Sequence, residues 1–257
     1  MPSDPHSLHR SGVAGARAAA GDAIDALWQQ VGRIATIGPR SRRARRFHRF
    51  GDGSAICFPV TALFGEEYID LGEHVIIGPY ASVSAGVMPG HVLDHTPVVS
   101  IGDRVLIGKG SGIVAHDRVI IGDDVFTGHH VYITDANHGY VDTETSIGKQ
   151  FAPSRPVTVG AGSWLGHGTV VLPGAQIGCN VAVGAGSVVT GVLPDFCVAV
   201  GNPARVIRRL VPGEGWVKVD EPAGRPARPD DGALSAEPVL SAEPVLSAEP
   251  VQPAGEG

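Results

Sequence analysis

The sequence predicts a mainly β protein, a three-sided prism of stacked coils made from short parallel strands. Three observations carry that expectation. First, an aliphatic residue recurs every six positions through the middle of the chain, beginning with Leu71, Ile77 and Val83 and ending with Ile177, Val183 and Val189. Fourteen of the fifteen positions in this register are aliphatic and the other is Thr127, whereas a helix would repeat near 3.6 and a lone strand near 2. Second, glycine follows that residue in the first two hexads of each three. It is missing from the third, where Ser84, Val114, Thr134, Leu172 or Thr190 stands. Three short faces therefore make one 18-residue coil. Third, aromatic residues are only 5% of the chain against 36 glycines, a composition suited to repeated tight corners rather than to one aromatic-rich core.

About five such coils follow from the register, over residues 71–88, 101–118, 121–138, 159–176 and 177–194. Each should stack on the last at the inter-strand spacing of about 4.8 Å. Extra residues occur only at 89–100, 119–120 and 139–158, always between the third face of one coil and the first face of the next. Long insertions along one edge are how a repeat scaffold builds a site. The segment "VYITDANHGYVD", residues 131–142, runs into the longest of them and brings Asp135, Asn137, His138 and Asp142 there. At the fifth hexad position, small and aliphatic residues give way only to Asp117 and Asn137, which the register predicts to be stacked neighbours; buried, they must hydrogen-bond each other or the backbone.

Residues 22–37 read as an amphipathic helix. Ile24, Leu27, Trp28, Val31 and Ile34 form its stripe, Asp22 caps it and Gly38-Pro39 stops it. It is expected to cover the prism's open N-terminal end. Six arginines then fall within Arg40–Arg49. The prolines, acids and SAEPVL repeats of 213–257 cannot bury a core and are expected to be disordered. That segment also accounts for the net charge of −6, because residues 1–210 balance at 17 acids and 17 bases. A neutral body excludes a general nucleic-acid field. The three cysteines, Cys57, Cys179 and Cys197, lack paired spacing and read as buried free thiols. The opening MPSDPHSLHRSG has no apolar leader. The uncharged stretch Val157–Pro194 fits the coils better than a membrane span.

The hexads, together with "ITDANHGYVD", "VTVGAGSWLGHGTVVLPGAQIG" and "VAVGAGSVVT…VLPDFCVAVGNPARVIR", resemble the hexapeptide-repeat acyltransferases, and within them the sugar and glycan O-acetyltransferases. The resemblance covers roughly residues 66–210. It implies a left-handed parallel β-helix, acetyl-CoA or another acyl-CoA as donor, and a cyclic homotrimer. His138 matches the family's catalytic histidine, and imidazole suits the removal of an alcohol proton near neutral pH. Asp135 or Asp142 would orient it, and the spacing does not choose between them. His116 stands where galactoside- and maltose-type members carry an acceptor-binding carboxylate, and their acceptor asparagine falls near Gly108. Asn137 belongs to the same orienting and acceptor-binding group. By the same matching Trp164, Ala185 and Thr190 line the coenzyme's path, and Arg205 and Arg208 meet its phosphates. Gly191 replaces a common lysine and His167 a smaller residue. Asn202 and Pro203 would begin a short C-terminal closing helix.

A histidine metal site is weighed and rejected. His130 stands 35 residues after His95, but the position five further on is Asp135, which breaks the triad of the zinc carbonic anhydrases sharing this fold. The expected organisation is 1–65 as a disordered start, helix, basic linker and cap, 66–212 as the acyltransferase prism, and 213–257 as tail. The expected function is transfer of an acyl group, most simply acetyl, from coenzyme A to a sugar hydroxyl of a glycan, polysaccharide or glycolipid precursor. No metal and no nucleic acid take part. The expected location is the cytoplasm, with Arg40–Arg49 able to meet the inner membrane face. The competing classes are a non-catalytic scaffold of the same fold and a zinc hydratase.

Overall fold

The computed structural model describes residues 5–219. The SAEPVL repeats lie outside them. The strands of each coil belong to three sheets, here called faces 1, 2 and 3 in chain order. Face 1 holds seven parallel strands from Arg49–Phe50 to Val192–Leu193, and face 2 seven from Ala55–Ile56 to Cys197–Val200. Face 3 holds six, from Ala62–Phe64 to Val188–Val189. The chain thus makes six full coils and the first two faces of a seventh. Within the coils each strand pairs in parallel with its counterparts one coil away, as in Ile69–Leu71 against Val99–Ile101.

All fifteen residues of the six-residue register point inward and are at most 2% exposed. The exception to the aliphatic rule is satisfied in place: the Thr127 hydroxyl accepts the Gly108 N–H at 2.9 Å and donates to the Gly128 carbonyl. A buried hydroxyl with both partners costs little. The glycine after each register residue serves a different purpose from the expected one. Gly102 and Gly108 do not have positive φ; a Cβ on Gly108 would instead run into the Gly128 carbonyl of the coil below. The constraint is close approach of successive backbones, which only a residue without a side chain permits.

Four expectations change. The prism begins at Arg49, one coil earlier than residue 66. The register residues of that coil, Phe50, Ile56 and Leu63, are spaced by six and then seven, so the period breaks there and hides it. The helix runs over Pro5–Ala35, because the alanine-rich stretch before Asp22 propagates it and leaves Asp22 inside rather than capping. Its stripe does not cover the prism: Ile24, Leu27 and Ile34 are exposed, while Trp28 meets Phe58 of the body, ring centroids 5.9 Å apart. Instead Ile37, bridged to Ile56, closes the first coil.

The fourth change is at the other end. In place of a closing helix, Arg205–Val211 and Gly215–Lys218 form a hairpin added antiparallel to Cys197–Val200. A free strand edge needs backbone partners, which another strand supplies and a short helix cannot. The hairpin also shows residues 213–218 to be part of the fold. Of the thiols, Cys197 is buried, Cys57 half-buried and Cys179 exposed. No described helix is long and apolar enough to cross a membrane.

Replacing Gly108 with alanine is expected to lower stability by about 1–3 kcal/mol, the usual cost of overpacking, because the obstructing atoms are backbone. Thermal unfolding of Gly108→Ala against Gly90→Ala, where a Cβ meets nothing but φ is positive, separates close approach from backbone strain.

Candidate active site

The edge between faces 3 and 1 carries both long insertions, and His138 stands on it, exposed, just after the strand Tyr132–Thr134. The 139–156 insertion folds back on it. His138 forms an isolated antiparallel bridge with Phe151, whose ring lies 5.8 Å from the imidazole. Its Nδ1 is 3.2 Å from the Gln150 carbonyl oxygen. A carbonyl can only accept, so Nδ1 carries the hydrogen and Nε2 keeps its lone pair. That is the tautomer a general base requires.

Gln150 is held in turn by the loop it closes. Its side-chain amide donates to the Asp142 and Thr145 carbonyls at 2.8 and 2.7 Å, and its Oε1 accepts the Asp142 N–H. The Gly139 N–H shares the Gln150 carbonyl with His138, at 2.9 Å. Neither Gln150 nor Phe151 was legible beforehand, since a 20-residue interruption has no period to mark a residue twelve positions from its partner.

The two expected orienting carboxylates are engaged elsewhere. Asp135 is fully buried, and its oxygens accept the backbone N–H groups of His116, Asp117 and Arg118 at 2.8, 2.8 and 2.6 Å. It ties the His138 coil to the coil before it. Asp142 accepts the Glu144 and Thr145 N–H groups, and the Thr145 side chain and then the Glu144 N–H hold its carboxyl below the ordinary range. Asn137 is exposed and its Oδ1 accepts the His138 N–H at 2.9 Å. The expected Asp117–Asn137 pair does not form; Asp117 instead meets His95 of the first insertion, whose Nε2 lies 2.9 Å from the Asp117 carbonyl. Burial of the half-exposed His116 lowers its pKa, against the pull of Asp135, and nearby His91 and His138 lower it further. The shift favours the neutral imidazole, and His116 is placed at the same edge as His138.

The other sequence-selected residues divide by position. Thr190 is exposed on the His138 edge, two coils further along. Trp164 is not there: it stands on face 2, opposite that edge, 45% exposed and in register with Phe126 before it and Ala182 after it. Ala185 is exposed on the edge between faces 2 and 3, and Arg205 and Arg208 are exposed on the hairpin that extends face 2. A face five or six residues wide spans roughly 15–20 Å of extended chain. One chain therefore keeps the His138 group and the Trp164 group on opposite sides of its prism. Among the described residues no cluster of three or more His, Cys, Asp or Glu has metal-binding geometry.

Comparison with known proteins follows the same architecture. A family model described as the hexapeptide repeat of succinyl-transferase matches residues 98–134 and 156–191. The galactoside O-acetyltransferase of Escherichia coli is 32% identical over 144 residues, which are 55% of this chain and 70% of that protein. The chain belongs to the hexapeptide-repeat acyltransferases. A probable acetyltransferase of Mycobacterium tuberculosis is 31% identical over 140 residues, 54% of this chain but 44% of the relative, so the chain spans about half the length of that protein. A Bacillus cereus N-acyltransferase, solved with dTDP-4-amino-4,6-dideoxyglucose and coenzyme A, superposes with a TM-score of 0.56 at 18% identity, covering 67% of this chain and 88% of that one. The prism is thus the left-handed parallel β-helix of this family.

Truncating Asp135 to alanine strands three N–H groups at roughly 1–3 kcal/mol each. Asp135→Ala is expected to lower the unfolding midpoint sharply, and Asp135→Asn, which keeps one acceptor oxygen, by less. Denaturant titration of the two variants measures this.

Proposed function

We propose that the protein transfers an acyl group, most simply acetyl, from coenzyme A to a hydroxyl of a sugar in a glycan, polysaccharide or glycolipid precursor. The observation that carries this reading is His138, whose Nδ1–H faces the Gln150 carbonyl and whose Nε2 is free, on the scaffold of an acyltransferase family. Nε2 takes the proton as the alcohol oxygen attacks the thioester carbonyl. The tetrahedral adduct then collapses by breaking the carbon–sulfur bond, and the imidazolium returns its proton to the departing thiolate. Phe151 and the Gln150 carbonyl hold the ring, so little orientation is lost on binding. His116, neutral and on the same edge, is the acceptor-side partner; Asn137 steadies the His138 backbone.

Trp164 and Ala185 are proposed to line the coenzyme's path, with Thr190 on its other wall, and Arg205 and Arg208 to hold its phosphates as bidentate donors. Because one chain keeps the two groups apart, the complete site needs a second copy, with the His138 edge of one prism against face 2 of its neighbour. A cyclic homotrimer repeats that contact three times. Its apolar material is in place: Ile76, Phe126 and Trp164 on face 2, and Met88, Val92 and Phe151 on the insertions, are all exposed. The proposed setting is the cytoplasm. Arg40, Arg42, Arg45 and Arg49, exposed and without ion pairs among the described residues, are the groups that would meet an anionic membrane face.

Thiol release from acetyl-CoA with a panel of sugars and glycan extracts tests the reaction. His138→Ala is expected to lower acceptor-dependent release by about a hundredfold or more while calorimetric binding of coenzyme A persists. Release unaffected by the substitution would remove His138 as base, and absence of coenzyme A binding would remove the reaction class. Co-expressing His138→Ala chains with Trp164→Ala chains should restore intact composite sites at roughly a quarter of positions in a mixed ring. Mixtures no more active than either variant would place both residues' roles within one chain.

A further inference from the structure

The two glycine-cornered edges of the prism use the same positions of the hexad, yet they carry opposite charge. At the turns between faces 1 and 2 these positions hold Asp52, Glu73, Asp103, Asp123, Asp124 and Asp195, beside His74 and Arg104. The acids there have structural work. Asp103, Asp123 and Asp195 accept the N–H groups of Glu73, Asp103 and Cys179 at 2.8, 2.9 and 2.7 Å, binding each coil to the one before. Arg104 is paired with Asp124. The matching turns between faces 2 and 3 hold Lys109, His129, His130 and His167, and no carboxylate.

Those four side chains have no such work. All four are exposed, and among the described residues none makes a side-chain hydrogen bond or ion pair. They contact one another and one aromatic ring. His167 lies 5.5 Å from His130 and 6.4 Å from His129, ring to ring, and the Lys109 ammonium is 5.2 Å from the centre of the Tyr80 ring. Their backbones are joined coil to coil, His130 N–H to the Lys109 carbonyl and Gly168 N–H to the His129 carbonyl, each at 2.9 Å. The result is one column of donors over three coils, about 10 Å tall at the coil spacing. His130 occupies a left-handed backbone position, φ 58°, that Tyr80 fills on the same edge two coils earlier and that glycine fills at Gly110, Gly168 and Gly186.

We infer that this column is an anion subsite for the acceptor, taking a phosphate or carboxylate carried by the sugar. The inference rests on the acyl-transfer reading above. Rotation about an axis parallel to the prism leaves height along that axis unchanged, so copies packed side by side meet coil against the same coil. His129 and His130 belong to the same coil as His138, and His167 to the next. The column therefore faces the neighbour's base at its own level. Its far side meets Ala185, one coil on from His167, where the Gly186 N–H donates to the His167 carbonyl at 2.8 Å. The coenzyme's phosphates are assigned still further along, to Arg205 and Arg208. An anion held by Lys109 and the histidines thus belongs to the other substrate. Imidazole and ammonium N–H groups in this spacing suit a multi-oxygen anion.

The test begins with protein saturated in coenzyme A, titrated calorimetrically with inorganic pyrophosphate and, separately, with glucuronate. Wild type is expected to bind at least one, and His130→Gly combined with Lys109→Ala to weaken it tenfold or more with coenzyme A affinity unchanged. His130→Gly restores the residue that the neighbouring coils use, so folding is preserved. A preference for pyrophosphate indicates a phosphorylated or nucleotide-linked acceptor, and one for glucuronate an acidic sugar. Absence of binding by wild type, or equal binding by the double variant, overturns the subsite. Equal loss of coenzyme A and anion affinity overturns its assignment to the acceptor. A failure of the acyl-transfer reading shows separately, as wild-type protein that binds the anion and not acetyl-CoA.

Discussion

The spacing of one backbone coil from the next, near 4.8 Å, is the constraint on which everything else in this protein depends. At that distance inward side chains must be similar in size from coil to coil, which is why one aliphatic residue recurs every six positions and is sealed from water. Corners must let two peptide chains nearly touch, which is why glycine recurs where a Cβ would strike the neighbouring carbonyl. Polar atoms that the stacking buries are answered in place: Asp135 by three N–H groups of the adjacent coil, and Thr127 by the Gly108 N–H of the adjacent coil and its own neighbour's carbonyl. The long departures from the stack are confined to one edge, and there the chain leaves it.

The candidate site follows from that departure. His138 ends the regular part of its coil, and the residues after it return to give its Nδ1 a carbonyl and its ring a neighbour in Phe151. Orientation by a carbonyl differs from orientation by a carboxylate. A carboxylate would stabilise the imidazolium as well as fix the tautomer, whereas a neutral carbonyl mainly fixes the tautomer. The carboxylates expected in that part are consumed by structure, Asp135 in joining coils and Asp142 in shaping the loop.

A triangular cross-section also decides how chemistry can be shared. Edges and faces of one prism point away from one another, so residues on an edge and on the opposite face cannot cooperate within a chain. In the proposed trimer, side-by-side packing sets each edge against a neighbour's face and preserves height. Charge is distributed by the same logic. Acids gather on the edge where they cap the stacking backbone, and unpaired donors gather on the edge that lies along the proposed substrate path.

The sequence by itself determined the coil, because a six-residue period with glycine in two hexads of three has one economical solution in backbone geometry. It also pointed to the edge that carries the candidate site, because the long insertions interrupt the period there, and the motif around His138 identified the family. The tertiary structure alone decided what holds His138, since the Gln150 carbonyl and Phe151 reach it through a loop without periodicity. It alone showed the first coil, where the spacing slips by one residue before Leu63, and the hairpin that replaces a helix at the end. It decided, too, that Trp164 and His138 stand on opposite sides of the prism. Periodicity reports which residues face inward, because burial repeats with the backbone. It cannot report which outward residues converge, because that depends on the path of loops and the direction of faces in three dimensions.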